Sequence, residues 1–171
     1  MDVSRIPTYG PEGSVNVLVE IPRGSRNKYE YDETLGVMRL DRTLYAAVHY
    51  PTDYGFVPGT RGRDGDPVDA LVLVEEPAFP GCLVRVRLVA VLTITHSKGP
   101  EQKLLGIPIS EPRFAAYQDV DDVPAHLLRE IEHFFDVFKE LEGSDIHALG
   151  WEGAAEARAT VARAIERASE T

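Results

Sequence analysis

The chain has 171 residues, enough for one domain whose hydrophobic core needs no disulfide or structural metal, so a single domain over 1–171 is expected. Acidic residues outnumber Lys and Arg 28 to 18, giving a formal charge of -10, while 43% of residues are hydrophobic. That balance excludes disordered and fibrous classes and disfavours nucleic-acid or anionic-membrane partners.

The opening residues, with Pro7, Gly10 and Pro11, contain no apolar run of signal-peptide or membrane-spanning length, and a cytoplasmic location is expected. Val15 to Ile21 is apolar and β-branched and reads as a first strand that delivers a charged Glu20 to the loop Pro22-Arg23-Gly24-Ser25. In Lys28-Tyr29-Glu30-Tyr31 a period of two puts a cation and a carboxylate on one face and both tyrosines on the other. Glu33 to Gly36 is a turn, and Val37 to Leu40 returns as the second strand of a hairpin, leading into Asp41-Arg42. Tyr50 to Gly59 holds too much Pro and Gly for regular structure and too many aromatics for a solvent loop. Tyr50 and Tyr54 are therefore candidates for packing or for holding a polar ligand through their hydroxyls.

The stretch Asp64-Gly65-Asp66-Pro67-Val68-Asp69 concentrates negative charge that no folding requirement explains. Gly65 and Pro67 fix backbone angles that allow three carboxylates to share a target, and a hard cation such as Mg²⁺ takes such oxygen ligands together with substrate phosphates. An acidic surface turn is the alternative. Val68 to Val74 follows as a buried strand, Cys82 to Ile94 as one bent strand or two, His96 to Gln102 as a loop, and Lys103 to Ile109 as a strand broken by Gly106 and Pro108. Cys82 is the sole cysteine and is expected in the core. From Asp122 the period changes, and Leu127, Leu128, Ile131, Phe134, Phe135, Phe138 and Leu141 form a helical stripe. Asp121 or Asp122 is expected to cap it, Pro124 to sit in its first turn and Gly143 to end it. After Gly150-Trp151 a second helix begins near Ala154 and should lie on the surface. Strands first and helices afterwards predict an α+β fold, with helices against a small barrel or coiled sheet.

Glu20, Glu30, Asp64, Asp66 and Asp69 are thus candidate metal ligands, and Lys28, Arg42, Lys103 and Lys139 candidate phosphate ligands. Interleaved carboxylates and cations suit metal-assisted phosphoryl transfer, in which metals clamp phosphate oxygens and cations offset charge on the leaving group.

With these residues in order, the chain resembles the soluble family I inorganic pyrophosphatases. The resemblance is carried by Glu20-Ile21-Pro22, Lys28-Tyr29-Glu30, Asp41-Arg42, Tyr50-Pro51, Tyr54-Gly55, the Asp64 to Asp69 signature, His133-Phe134-Phe135 and Gly150-Trp151. It implies a five-stranded OB-like β-barrel with flanking C-terminal helices, a homo-oligomer, usually hexameric, and Mg²⁺-dependent hydrolysis of pyrophosphate to two phosphates. By position it implies Asp64 and Asp69 as metal ligands, Asp66 as general base, and Glu20 and Glu30 at metal sites directly or through waters. Lys28, Arg42 and Lys139 would hold phosphate oxygens, Tyr54 would border the nucleophile, Tyr50 would be a further phosphate-side contact, and Lys103 is the family's retained lysine.

One region departs from the family. His96-Ser97 stands where an Asp-Glu pair is usual, Glu101 replaces a metal-binding aspartate, and Phe138 replaces the tyrosine before Lys139. His96 and Glu101 become altered metal ligands, more tolerant of Mn²⁺, Co²⁺ or Zn²⁺. The same departures leave open recruitment to another phosphorylated or diphosphorylated substrate, or a non-catalytic phosphate-binding homologue.

Overall fold

In the computed structural model, which describes residues 1–170, the apolar runs pair into strands that close on one another. Thr171, the end of the expected domain, lies outside the described residues. β1 (Val15–Ile21) pairs antiparallel with β4 (Asp53–Phe56) and with β6 (Leu83–His96). β4 continues to β5 (Asp69–Val72), β5 to β7 (Gly99–Pro108), and β7 returns to β6. The result is a closed ring of five strands, antiparallel except between β5 and β7, which is the expected OB-like architecture. β2 (Asn27–Asp32) and β3 (Val37–Thr43) form the separate hairpin predicted from their alternation.

Neighbouring residues on the ring strands bury into opposite clusters. Leu71, Leu73 and Leu105 join Ile21, Tyr50, Tyr54, Phe134 and Phe135 in one core, while Ala70, Val72 and Leu104 join Val17, Val57, Val91 and Val161 in another. Burial on both faces is why β5 and the end of β7 read as continuous apolar runs rather than alternating ones. Gly55, opposite Val19, marks the closest approach of two strands: a Cβ there would lie 1.9 Å from the Leu18 carbonyl oxygen.

Several local expectations change, beginning with the segment Tyr50 to Gly59, expected to be irregular, which carries β4. Gly150-Trp151 lies in an eighth strand, β8 (His147–Gly153), added to the outer edge of β6. The helix α1 (Ala125–Val137) has Pro124 at its N-cap, without a side-chain cap. The aspartates act one turn earlier: Asp119 accepts the Val120 N–H at 2.8 Å and Asp122 accepts that of Asp119 at 2.9 Å, closing a 3-10 turn. α1 ends at Val137, and Gly143 (φ 79°) instead closes a second 3-10 turn, Glu140–Glu142. Cys82 is only half-buried, just outside β6, and not in the core. α2 (Ala154–Ser169) begins where expected and buries Ala157, Val161 and Ala164 in the second core, leaving its other face exposed.

Candidate active site

The parallel register of β5 and β7 sets Asp69 opposite Lys103, so a carboxylate at the start of β5 meets an ammonium in the middle of β7. Lys103 Nζ lies 2.5 Å from Asp69 Oδ2, donates to Tyr54 Oη at 3.0 Å and bonds Glu101 Oε1. Lys103 is only 5% exposed, and its ammonium also lies over the rings of Tyr54 and Phe135. Burial alone would lower its pKa, but Asp69 and Glu101 more than offset this and raise it, so Lys103 stays charged. Burial works on Asp69 in the other direction, and Lys103, with hydrogen bonds from Glu101 and Tyr54, holds its carboxyl below the usual range. Glu101 is pushed up by burial, with Lys103 pulling it down and Asp69 adding to the rise.

A cleft of about 730 Å³ opens over this cluster. Of the candidate residues, Glu20, Lys28, Glu30, Tyr50, Tyr54, Asp64, Asp66, Asp69, His96, Glu101, Lys103 and Lys139 line it; Arg42 does not. Tyr50 is 1% exposed and packs on Tyr54 and Phe134, so the first of the two roles considered for it, packing, is the one seen, on the wall of the cleft. Phe138 also lines the cleft, packed on Phe134 at 4.9 Å between ring centres. An apolar edge therefore stands where a hydroxyl was usual.

The hairpin forms another wall. Glu20, at the end of β1, accepts the Tyr31 N–H at 2.8 Å and so ties the hairpin to the ring. Burial pushes its carboxyl up to about 7, against the lowering effect of that hydrogen bond. On β2, Lys28 pairs with Glu30 and lies 3.5 Å from Asp41 of β3. Asp41 also pairs with Arg42, whose other terminal nitrogen lies 2.7 Å from Glu142. Arg42 thus sits one residue back from the cleft, held between two carboxylates. Neither Asp41 nor Glu142 was singled out from sequence, and Glu142, in a Glu-Leu-Glu run, carries no local signal at all.

The acidic turn is the exposed part of the site. Asp64 Oδ1 accepts the Asp66 N–H at 3.1 Å, and Gly65 supplies the required positive φ of 97°. Asp66 forms no ion pair among the described residues; partial burial, then Asp64, Asp69, Glu30 and Glu33, raise its pKa. Across the cleft, the expected loop after His96 is a tight turn between β6 and β7, and Glu101 already belongs to β7. His96 Nδ1 accepts the Lys98 N–H at 3.2 Å, which leaves Nε2 as the donor to Glu101 Oε2, also 3.2 Å away. Both ring nitrogens are therefore occupied. Arg63 and Lys98 line the cleft as well, without a side-chain partner among the described residues, and sequence reasoning passed over both.

As the side chains stand, no three acidic or imidazole groups among the described residues converge on one point. Asp69 and Glu101 turn to Lys103, and Glu30 turns to Lys28. The donor set nevertheless fits a hard divalent cation. It is almost all carboxylate oxygen on one cleft, and its members either recruit an ammonium or, like Asp66, carry the repulsion of neighbouring carboxylates.

Comparison with known proteins agrees with this geometry. Residues 17–169 match the family model described as inorganic pyrophosphatase. The chain is 50% identical over 138 residues to the inorganic pyrophosphatase of Methanosarcina acetivorans, covering 81% of this chain and 82% of that protein. It is 43% identical over 166 residues to that of Nostoc, covering 97% and 98%. The solved inorganic pyrophosphatase of Thermus thermophilus superposes with a TM-score of 0.94 at 39% identity over 99% of both chains. That of Helicobacter pylori gives 0.92 at 38% identity, over 96% of this chain and 99% of that one.

Proposed function

Since the chain belongs to the inorganic pyrophosphatase family, we propose that its cleft hydrolyses inorganic pyrophosphate to two phosphates. The observation that carries this is the convergence of Lys28, Lys103 and Lys139 with Glu20, Glu30, Asp64, Asp66, Asp69 and Glu101 on one cleft, from six separate parts of the fold. The enzyme is a hydrolase of a phosphoanhydride.

Lys28 and Lys139 hold phosphate oxygens from two sides, with Tyr50 and Tyr54 between them, and Arg42 adds positive potential from behind Lys28. Lys103 fixes the orientation of Asp69. Asp64, Asp69, Glu20, Glu30 and Glu101 would hold Mg²⁺, which when bound would neutralise charge at the phosphate oxygens and acidify water. His96 serves this set by orienting Glu101. Asp66, exposed and in no ion pair among the described residues, accepts the proton of the attacking water as oxygen adds to one phosphorus and its bond to the bridging oxygen breaks. Its raised pKa suits a group that must take up a proton.

Release of phosphate from pyrophosphate, measured with Mg²⁺ and then with Mn²⁺, Co²⁺ or Zn²⁺, tests the reading. Turnover of pyrophosphate with at least one of these ions is expected, and turnover of organic diphosphates alone would overturn it. The protein is further proposed to work as a homo-oligomer, in line with a hexamer. Leu141, Leu149, Tyr45 and Phe79 are large apolar side chains left more than half exposed on the single chain. Sedimentation should show an assembly at micromolar concentration; a monomer would count against it. No described helix is long and apolar enough to cross a membrane.

A further inference from the structure

Four cations gather at one end of the cleft, and they repel one another. Burial, and after it the charges of Lys28, Arg42 and Lys103, hold the Lys139 ammonium below the usual lysine range. Among the described residues no carboxylate pairs with it; its ammonium lies over the Phe138 ring, 5.2 Å from the centre. Lys28 and Lys139 belong to separate walls. The first is on the β2–β3 hairpin, and the second is the residue from which the 3-10 turn Glu140–Glu142 springs. The like charges of Lys28 and Lys139 favour separating these walls before an anion enters.

One ion pair opposes that. Arg42 of β3 lies 2.7 Å from Glu142, the last residue of the turn. The turn is short and internally bonded: the Glu142 and Ser144 N–H groups both donate to the Lys139 carbonyl, at 3.0 and 3.2 Å. A displacement of Glu142 is therefore passed to Lys139 through the backbone. The pair is also shielded, with the Glu142 side chain 14% exposed, and both Arg42 Nε and Glu142 Oε2 are buried without a hydrogen-bond partner in the structure. A half-buried pair with unspent donor and acceptor capacity at its buried atoms contributes little to stability alone, which favours a role in placing groups.

We propose that Glu142 is a positioning residue, clamping the Lys139 wall of the cleft to the Lys28 wall through Arg42 and so presetting the spacing of the two lysines for the phosphates of the substrate. This rests on the pyrophosphatase reading. Glu142 touches no reacting atom. Its effect reaches substrate only through where Lys139 and Arg42 are held, so it should show in substrate affinity more than in the chemical step.

The test is a double-mutant cycle on the intact enzyme with Glu142→Gln, Arg42→Met and the two combined, reading KM and kcat for pyrophosphate and, separately, the affinity for inorganic phosphate by calorimetry. Glu142→Gln is expected to raise KM about tenfold with kcat changed less than threefold, and to weaken phosphate binding by a similar factor. Glu142→Asp should recover part of the loss. In the Arg42→Met background, Glu142→Gln should have no further effect, because the clamp is already open. A wild-type KM in Glu142→Gln, or full additivity with Arg42→Met, would overturn the proposal. A parent enzyme that binds phosphate but does not turn over pyrophosphate would sink the functional reading instead, while the calorimetric cycle would still report on the clamp.

Discussion

The two sides of the cleft are built on opposite principles. Asp69, Lys103 and Tyr54 stand on ring strands, and Lys103 and Tyr54 are almost fully buried; each polar atom in that cluster is committed to another. Asp64 and Asp66 stand on a loop, exposed, joined by a hydrogen bond from the Asp66 N–H to the Asp64 carboxylate, and neither forms an ion pair among the described residues. The first arrangement fixes geometry at the expense of freedom, since every member is needed to satisfy the others. The second leaves carboxylates unneutralised, which is costly only in mutual repulsion and keeps them available for an incoming ion or proton. Substitutions on the two sides should therefore fail differently: stability should fall on the strand side, and activity alone on the loop side.

Removing the cation of the buried cluster should produce the largest effect on the fold. Lys103→Met keeps most of the side-chain volume but leaves Asp69 and Glu101 facing each other, with Tyr54 having lost a donor. Breaking a buried pair from one side typically costs about 3–5 kcal/mol, and a loss near the lower end is expected in the urea midpoint, because one carboxyl can escape by taking up a proton. A loss below about 1 kcal/mol, within the range of exposed pairs, would show that the cluster is less committed than its geometry indicates.

Asp66→Asn is the matching change on the loop side. The amide cannot accept the proton of the attacking water, so kcat should fall by roughly a hundredfold or more. Stability should stay within about 0.5 kcal/mol, as for other exposed positions. If Asp66→Asn destabilised the protein as Lys103→Met does, the division between the two sides would not hold.

The same division explains what was legible in the sequence. Asp64, Asp66 and Asp69 announced themselves because carboxylates so close in sequence have no packing reason to cluster. Glu20 stood out as a charge ending an apolar strand. The hairpin was readable from the alternation of Lys28 to Tyr31. Register was not: that Asp69 faces Lys103 follows from parallel pairing of β5 with β7, which neither strand encodes by itself. Helix boundaries slipped because Asp119 and Asp122 were used for a 3-10 turn before Pro124, and β8 was missed because a seven-residue strand containing Gly150 and Gly153 carries little strand propensity. The clamp between Arg42 and Glu142 spans a sequence distance over which no periodicity reports. The role of Arg42 as a direct phosphate ligand, expected from resemblance, meets a side chain already held by Asp41 and Glu142 and outside the lining of the cleft.

The smallest effect should come from the turn where the two sides meet. His96 is neither free nor pointing into solvent: it accepts the Lys98 N–H through Nδ1 and holds Glu101 through Nε2. Aspartate can replace the first of these bonds, since its carboxylate readily accepts the N–H two residues on, so His96→Asp should keep the turn. It would also bring a hard oxygen and a negative charge to the rim of the cleft, opposite the acidic loop. Glu101→Asp withdraws the second carboxylate by one methylene, which weakens its hold on Lys103 and relieves the crowding that an added charge would cause. Together the two changes should lower the Mg²⁺ concentration that gives half-maximal pyrophosphate hydrolysis, by about threefold, because oxygen ligands suit Mg²⁺ and imidazole suits softer ions. The same variant should lose any relative advantage of Mn²⁺ or Co²⁺ over Mg²⁺. Rates measured across a Mg²⁺ titration decide it. An unchanged half-activation point would mean that the turn only buttresses Glu101, and that ion preference is set by Asp64 and Asp66 on the loop side together with Asp69.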